Sequence, residues 1–425
     1  MDMTNQPLRT AIHRSVPVVL LIFLLSGTQV GTVKSIGIYL KDISHSLGTT
    51  SKDIGVALGL FTAVCYLSGL GYCMVGLSAI LILSQLTSEQ NFYLLYGFGT
   101  SGCGVGMVLL PLLAEHLDEF YGWRGGILIQ GCLMANLVPC AVAIKLHVTG
   151  SRPVDQSANY QELEHSGVSE ESLVNNCSSE EEDSTPLCPK GADHNQAAAG
   201  ESSTYSSLVN GIEMDSREYE TSARQTFVRL RDSFYRSDFY RDPVFNFLFL
   251  ASTMLGIVYC GWHSFLVPHA IQRGYSIRAT ILVTFYASVG NFLGRLLGGA
   301  LSGRLANPIT LCLGAAFMSS LSILCDAFFR NYYMMIVSAC ISALSIGGMC
   351  VFNALSVKYR ASPGSFDVAY TVNDVLFGLG TFLGGYLSGV VGGVFSYDAT
   401  YKFLGGVQIL VFVLMLPVAV FEKPT

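Results

Sequence analysis

The stretch "ASVGNFLGRLLGGALSGR", residues 287–304, decides the fold. From Thr280 to Gly303 the only charge is Arg295, and a run of about 20 apolar residues is what a helix needs to cross a bilayer. A mid-span arginine costs roughly 2.5–3.5 kcal/mol on insertion scales. It keeps its proton and reaches neither surface easily, so it faces a polar cavity or a partner. Asn291 lies one turn before it on the same helical face. A guanidinium fork can hold a carboxylate in two places. Two roles therefore compete for Arg295: a structural ion pair, or the binding of an anion.

The whole chain agrees with a membrane reading. Of 425 residues 51% are hydrophobic and 13% charged, where soluble domains carry about 25% charged residues. Apolar runs place ten helical spans at 16–38, 54–85, 92–114, 124–146, 244–268, 279–303, 308–329, 332–356, 368–392 and 402–421. The fold expected is an all-α polytopic membrane protein. The first run is too long for a signal-peptide core and has no small-residue cleavage site, so it is expected to remain as a span. The second run is overlong: its thirty-two residues would measure about 48 Å as one straight helix.

Charge divides the chain into three parts. Residues 151–222 hold fifteen acids and three bases, a balance of −12, and the remainder holds fifteen acids and twenty-one bases, +6. The expected organisation is an N-terminal helical bundle (1–146), a disordered cytosolic loop (147–226) and a C-terminal six-helix bundle (227–425). Arg9, Arg14, five arginines between 224 and 241, Lys358 and Arg360 all fall on one side of a ten-span layout. The positive-inside rule makes that side cytosolic, together with both termini. The sequon at 176–178 then goes unused. "RQTFVRLRDSFYRSDFYRDP" (224–243) alternates arginines with aromatics, as suits a helix lying on the cytosolic leaflet of the lipid bilayer. Nucleic-acid binding is a poor fit for it, because a span follows at once.

Twelve cysteines form no Cys-x-x-Cys pair and ten sit in apolar runs, so buried thiols are expected, with no metal centre and no cofactor. Many of the 44 glycines recur at small-xxx-small spacing inside spans, as at Gly294/Gly298 and Gly380/Gly384, a pattern that lets helices approach closely. No nucleophile, metal cluster or phosphate loop falls in a polar setting, so enzyme readings are weak.

Polar residues inside spans are functional candidates by default. Lys34 sits in the outer part of the first span, where it either snorkels to the interface or acts in the path. Lys41 and Asp42 mark the boundary. His263, beside Trp262, is a proton carrier, a ligand contact or a satisfied core histidine. Asn373 and Asp374 lie in the first third of the ninth span, and Asp374 is a candidate partner for Arg295.

Three stretches, "GTVKSIGIYLKDISHSLGTTSKDIG" (31–55), "YGFGTSGCGVGMVLLPLLAEHLDEFYGWRGGILIQG" (96–131) and "AIQRGYSIRATILVTFYASVGNFLGRLLGGALSGR" (270–304), resemble the monocarboxylate transporters of the major facilitator superfamily. The resemblance covers the membrane part at both ends and leaves out the central loop. It implies two helical bundles around a central path, alternating access, and small carboxylates such as lactate and pyruvate carried with or without a proton. Family branches carry aromatic amino acids, thyroid hormone or creatine instead. It also implies a plasma-membrane location and a single-span immunoglobulin-type accessory glycoprotein. By the same resemblance Arg295 binds the substrate carboxylate and Lys34 takes part in proton and substrate binding. From the residues themselves, Asn291 and His263 are expected as further substrate contacts, and Asp374 and Lys41 as coupling or ion-pair residues.

Three departures qualify it. Asn291 stands where the family carries an aspartate, which puts proton coupling in doubt. "IHRSVPVV" replaces the acidic Gly-Gly-Trp-type motif before the first span, and "SEQN" (88–91) replaces a basic cluster. The N-terminal half has four spans where the family has six, with about fifty residues of the family pattern absent between "IGVALGLFTAVCYLS" (54–68) and "LGYCMVGLSAILILSQ" (70–85). The abbreviated 4 + 6 layout leaves a second expectation open, a shortened, non-transporting membrane protein.

Overall fold

Helices alone build the described part of this computed structural model, which covers residues 6–48, 72–137, 242–362 and 365–421, with isolated positions at 53, 139–140 and 142. Nine helices follow in order: α1 (Gln6–Leu47), α2 (Tyr72–Leu86), α3 (Glu89–Ala135), α4 (Val244–Gln272), α5 (Ile277–Leu301), α6 (Pro308–Phe328), α7 (Tyr332–Arg360), α8 (Phe366–Val394) and α9 (Tyr397–Val420). Among the described residues eight of these are long and apolar enough to cross a membrane, α2 being too short. The expected first half of the second span, the central loop and the surface helix at 224–241 lie outside the described residues.

Local chemistry sets the starts of the C-terminal helices. Ser276 accepts from the backbone N–H of Ala279 (3.3 Å), Asn307 from Thr310 (2.8 Å) and Ser396 from Ala399 (3.1 Å). Pro308 follows Asn307 at the first helical position, where its missing N–H costs nothing.

The sequence places a loop between the third and fourth spans, and the structure corrects this. α3 runs on through Glu115, His116, Asp118 and Glu119 and breaks only at Gly122 (φ 65°, ψ 173°). Hydropathy marks where a bilayer ends, whereas a backbone helix continues until a residue turns it. Glycine reaches that left-handed φ without steric cost. Two predicted spans thus join into one 47-residue element with a break.

The N-terminal pair α1 and α3 pack along their lengths, α5 packs on α7, α4 on α8 and α9, and α6 on α7 and α9; α3 against α5 joins the two halves. Close approach rests on glycine. A Cβ on Gly106 would strike the carbonyl of Gly27, and one on Gly294 the carbonyl of Leu344.

The two ends of the helix set differ. At one end Arg360 bonds Asp242 (2.9 Å) and the Phe421 carbonyl (3.0 Å), tying the start of α4 to the ends of α7 and α9. At the other, Arg273 reaches Asp326 (2.9 Å) and Asp398 (3.0 Å), while His269 meets Asp326 (3.0 Å) and lies flat on Tyr401 with ring centroids 3.9 Å apart. Cysteine burial holds at 103, 260 and 312 and fails at Cys132 and Cys140, which are exposed. Both follow the Gly122 break, on a segment whose outward face no other described helix covers.

Candidate functional site

Arg295 enters from α5 into the wall of a cavity of about 900 Å³, part of it open to the exterior. Only 6% of its surface is exposed. Its Nε donates to the Asn291 side-chain oxygen at 3.0 Å, and Asn291 donates on to the Ala343 carbonyl of α7 at 3.5 Å. An i, i+4 step on one helix makes this pair geometrically natural. Asn291 is fully buried and does not line the cavity, so it holds the arginine from behind. A guanidinium carries five N–H donors, and this bond uses one of them.

Asp374 lines the same cavity from α8, with Asn373 beside it. Around them stand Tyr96 of α3, Tyr259 of α4 and Tyr370 and Phe377 of α8, with the thiols of Cys103 and Cys350. Within the wall, Asn353 donates to Ser252 (3.0 Å) and Asn373 (3.3 Å), which locks α4, α7 and α8 together. Buried amides satisfied in this way avoid the cost of an unpaired polar group.

Lys34 is buried and does not snorkel. Its ammonium donates to the backbone carbonyl of His263 and lies 5.7 Å from the centre of the Trp262 ring. It therefore joins α1 to α4 and lines neither cavity. His263 is 3% exposed and stands edge-on between Tyr259 (4.8 Å) and Trp262 (4.9 Å). It lines a smaller void with Gln29 and Tyr259, both of which also line the main cavity. The side chain of Lys41 lies outside the described residues. Among the described residues no group of His, Cys, Asp or Glu has the arrangement of a metal centre.

Residues 58–366 match the model of the Major Facilitator Superfamily. The chain belongs to that superfamily. With its apolar helices, it is a multi-pass membrane protein. It is similar to monocarboxylate transporter 12 of Homo sapiens, 24% identical over 73% of this chain and 50% of the relative. Monocarboxylate transporter 9 of Rattus norvegicus is 23% identical over 80% of this chain and 70% of its own length. A Danio rerio relative, monocarboxylate transporter 12-B, is 30% identical over 31% of this chain and 26% of itself. The chain thus spans half the length of the human relative and about a quarter of the zebrafish one. Among solved superfamily structures, a POT family transporter aligns with TM-score 0.58 at 11% identity over 95% of this chain and 96% of its own. The E. coli fucose:proton symporter aligns with TM-score 0.53 at 11% identity over 98% and 100%. These likenesses show a shared fold.

Sequence reasoning missed the aromatic lining. Tyr96, Tyr259, Tyr370 and Phe377 sit in apolar spans, where a ring facing a cavity and a ring facing lipid look alike in sequence.

Proposed function

We propose that the protein carries small monocarboxylates of the lactate or pyruvate kind across a membrane by alternating access, with Arg295 as the group that grips the carboxylate. One observation carries the reading: a buried guanidinium in a cavity wall, bonded by its Nε to an amide rather than an acid. The similarity to proteins named monocarboxylate transporters supports it. Asn291 cannot take up a proton, which favours facilitated movement over coupling through that pair. Lys34 acts from the interface between α1 and α4, as a gate rather than a first contact. The setting proposed is the plasma membrane, with both termini cytosolic, and the role is a carrier's rather than an enzyme's. Radiolabelled lactate and pyruvate uptake in cells tests the assignment. Wild type is expected to exceed Arg295→Leu at least tenfold, since a charge-assisted contact is worth about 1.5–3 kcal/mol; equal uptake by the two would remove Arg295 from the site.

A second reading is favoured by Asp374, which shares the cavity with Arg295 and four aromatic rings. An acid and an arginine in one cavity suit a substrate bearing both a carboxylate and a cationic group, such as an aromatic amino acid or creatine. Competition of lactate uptake by phenylalanine or creatine, lost in Asp374→Asn, would select this reading. The shortened N-terminal half also keeps a non-transporting form in view. Sequencing transcripts across codons 66–72 separates the two, because an additional exon there marks a full-length carrier from the same locus.

A further inference from the structure

Two of the tyrosines that line the cavity with Arg295 belong to different halves of the molecule. Tyr96 of α3 and Tyr370 of α8 bring their hydroxyls to 3.4 Å. One turn further along each helix, Phe92 and Phe366 meet edge to face with centroids 6.3 Å apart. Phe92 stacks on Tyr96 (5.7 Å, 16°), and Phe366 leans on Tyr370 (5.7 Å, 47°). All four rings are buried, at 2–5% exposure. Lys358, near the end of α7, closes the set: its ammonium stands 3.9 Å from the Phe92 ring centre and 4.9 Å from that of Phe366. One cation thus touches an aromatic face from each half.

We propose that these four rings are the plug that shuts the central cavity at the end where α7 finishes and α8 begins, and that Lys358 holds the plug closed. The i, i+4 spacing on both helices lays the rings in two tiers, tyrosines lining the cavity and phenylalanines buried one turn nearer the helix starts. Aromatic rings part without leaving hydrogen-bonding groups stranded, apart from the single Tyr96–Tyr370 contact. The ammonium is the element that resists parting, because separating α3 from α8 takes it off at least one of its two faces. Cation–π attraction is stronger where water is thin, and Lys358 is half-buried. Glu89 and Asp367 are the carboxylates whose fields reach Lys358. The ammonium nevertheless stands over the rings, which makes the aromatic faces its principal support. The proposal rests on the alternating-access reading, in which each end of the cavity must open in turn.

Two thiols inside the cavity, Cys103 and Cys350, give a readout that needs no substrate. The full chain is placed in right-side-out and inside-out membrane vesicles and treated with a membrane-impermeant maleimide. Peptide mass spectrometry then reads modification at each thiol. Lys358→Met, which keeps the stem and loses the charge, is expected to raise labelling roughly tenfold from one face of the membrane only, the weight of two such contacts. Lys358→Arg keeps a cation over the rings and is expected to stay near wild type. Phe92→Leu should resemble Lys358→Met. Unchanged labelling in Lys358→Met overturns the plug, and so does an equal rise in Lys358→Arg or a rise from both faces, either of which reports general loosening. A chain that labels as expected yet takes up no lactate, pyruvate or amino acid keeps the plug and loses the transport reading.

Discussion

Arg295 and Asn291 show how much one side chain changes the electrostatics of a path. With an amide one turn before it, the guanidinium is oriented by a hydrogen bond and keeps its charge for whatever enters the cavity. Asn291→Asp would place a carboxylate in that bond, and the new acid would compete with substrate. Substrate affinity should then fall at neutral pH and recover as the pH drops and the acid protonates. The check is the KM for lactate at acidic and neutral pH, with the variant rising several-fold between them and wild type changing less. The charged site candidates were legible in the sequence because an ion in an apolar run is costly and stands out. What each of them touches was not. Lys34 reads as a snorkelling candidate at its position along the span, yet it is held against α4 by the His263 carbonyl, a contact across more than two hundred residues of chain that spacing cannot supply.

Helices in this protein meet through absent side chains. Gly106 on α3 lies against the Gly27 carbonyl of α1, so a larger residue has to push the two backbones apart. Gly106→Leu is expected to lower stability by about 1–3 kcal/mol through overpacking. Gly131→Ala, where a Cβ meets nothing within 4 Å, should be neutral or gain a few tenths of a kcal/mol or more in helix propensity. Thermal unfolding of the detergent-purified variants distinguishes the pair. The charged cluster that joins α4, α6 and α9 allows a similar contrast. Arg273→Ala removes the guanidinium from buried Asp326, leaving it with His269, and is expected to cost about 3–5 kcal/mol. Arg330→Ala removes an exposed arginine from Asp398 and should cost about 0–1 kcal/mol; the same melting experiment reads both. Element existence was largely written in hydropathy and caps. Element ends were not, because the polar turn after Ala114 stays helical until Gly122.

The two halves touch through α3 and α5, where a Cβ on Gly299 would collide with Gly97 and the Tyr93 carbonyl. Gly299→Val is expected to wedge the halves, abolishing uptake while moving the melting temperature by only a few degrees. Uptake and melting measured on the same preparation check this, and uptake near wild type would show that the contact has slack. Hydropathy alone made the all-helical, many-span character readable, whereas the superfamily and the short N-terminal half were legible only through the resemblance carried by residues 31–55, 96–131 and 270–304. The cavity was not, since it forms where α1, α2, α3, α4, α5, α7 and α8 converge and no single run contains it. The placement of tryptophan gives this assembly a further property. The chain has two, one half-buried at the Gly122 break and the other, Trp262, 1% exposed beneath the Lys34 ammonium. Trp123→Phe leaves a single emitter at the junction of α1 and α4. Its intrinsic fluorescence then reports, without any added dye, each time the first helix lifts from the fourth.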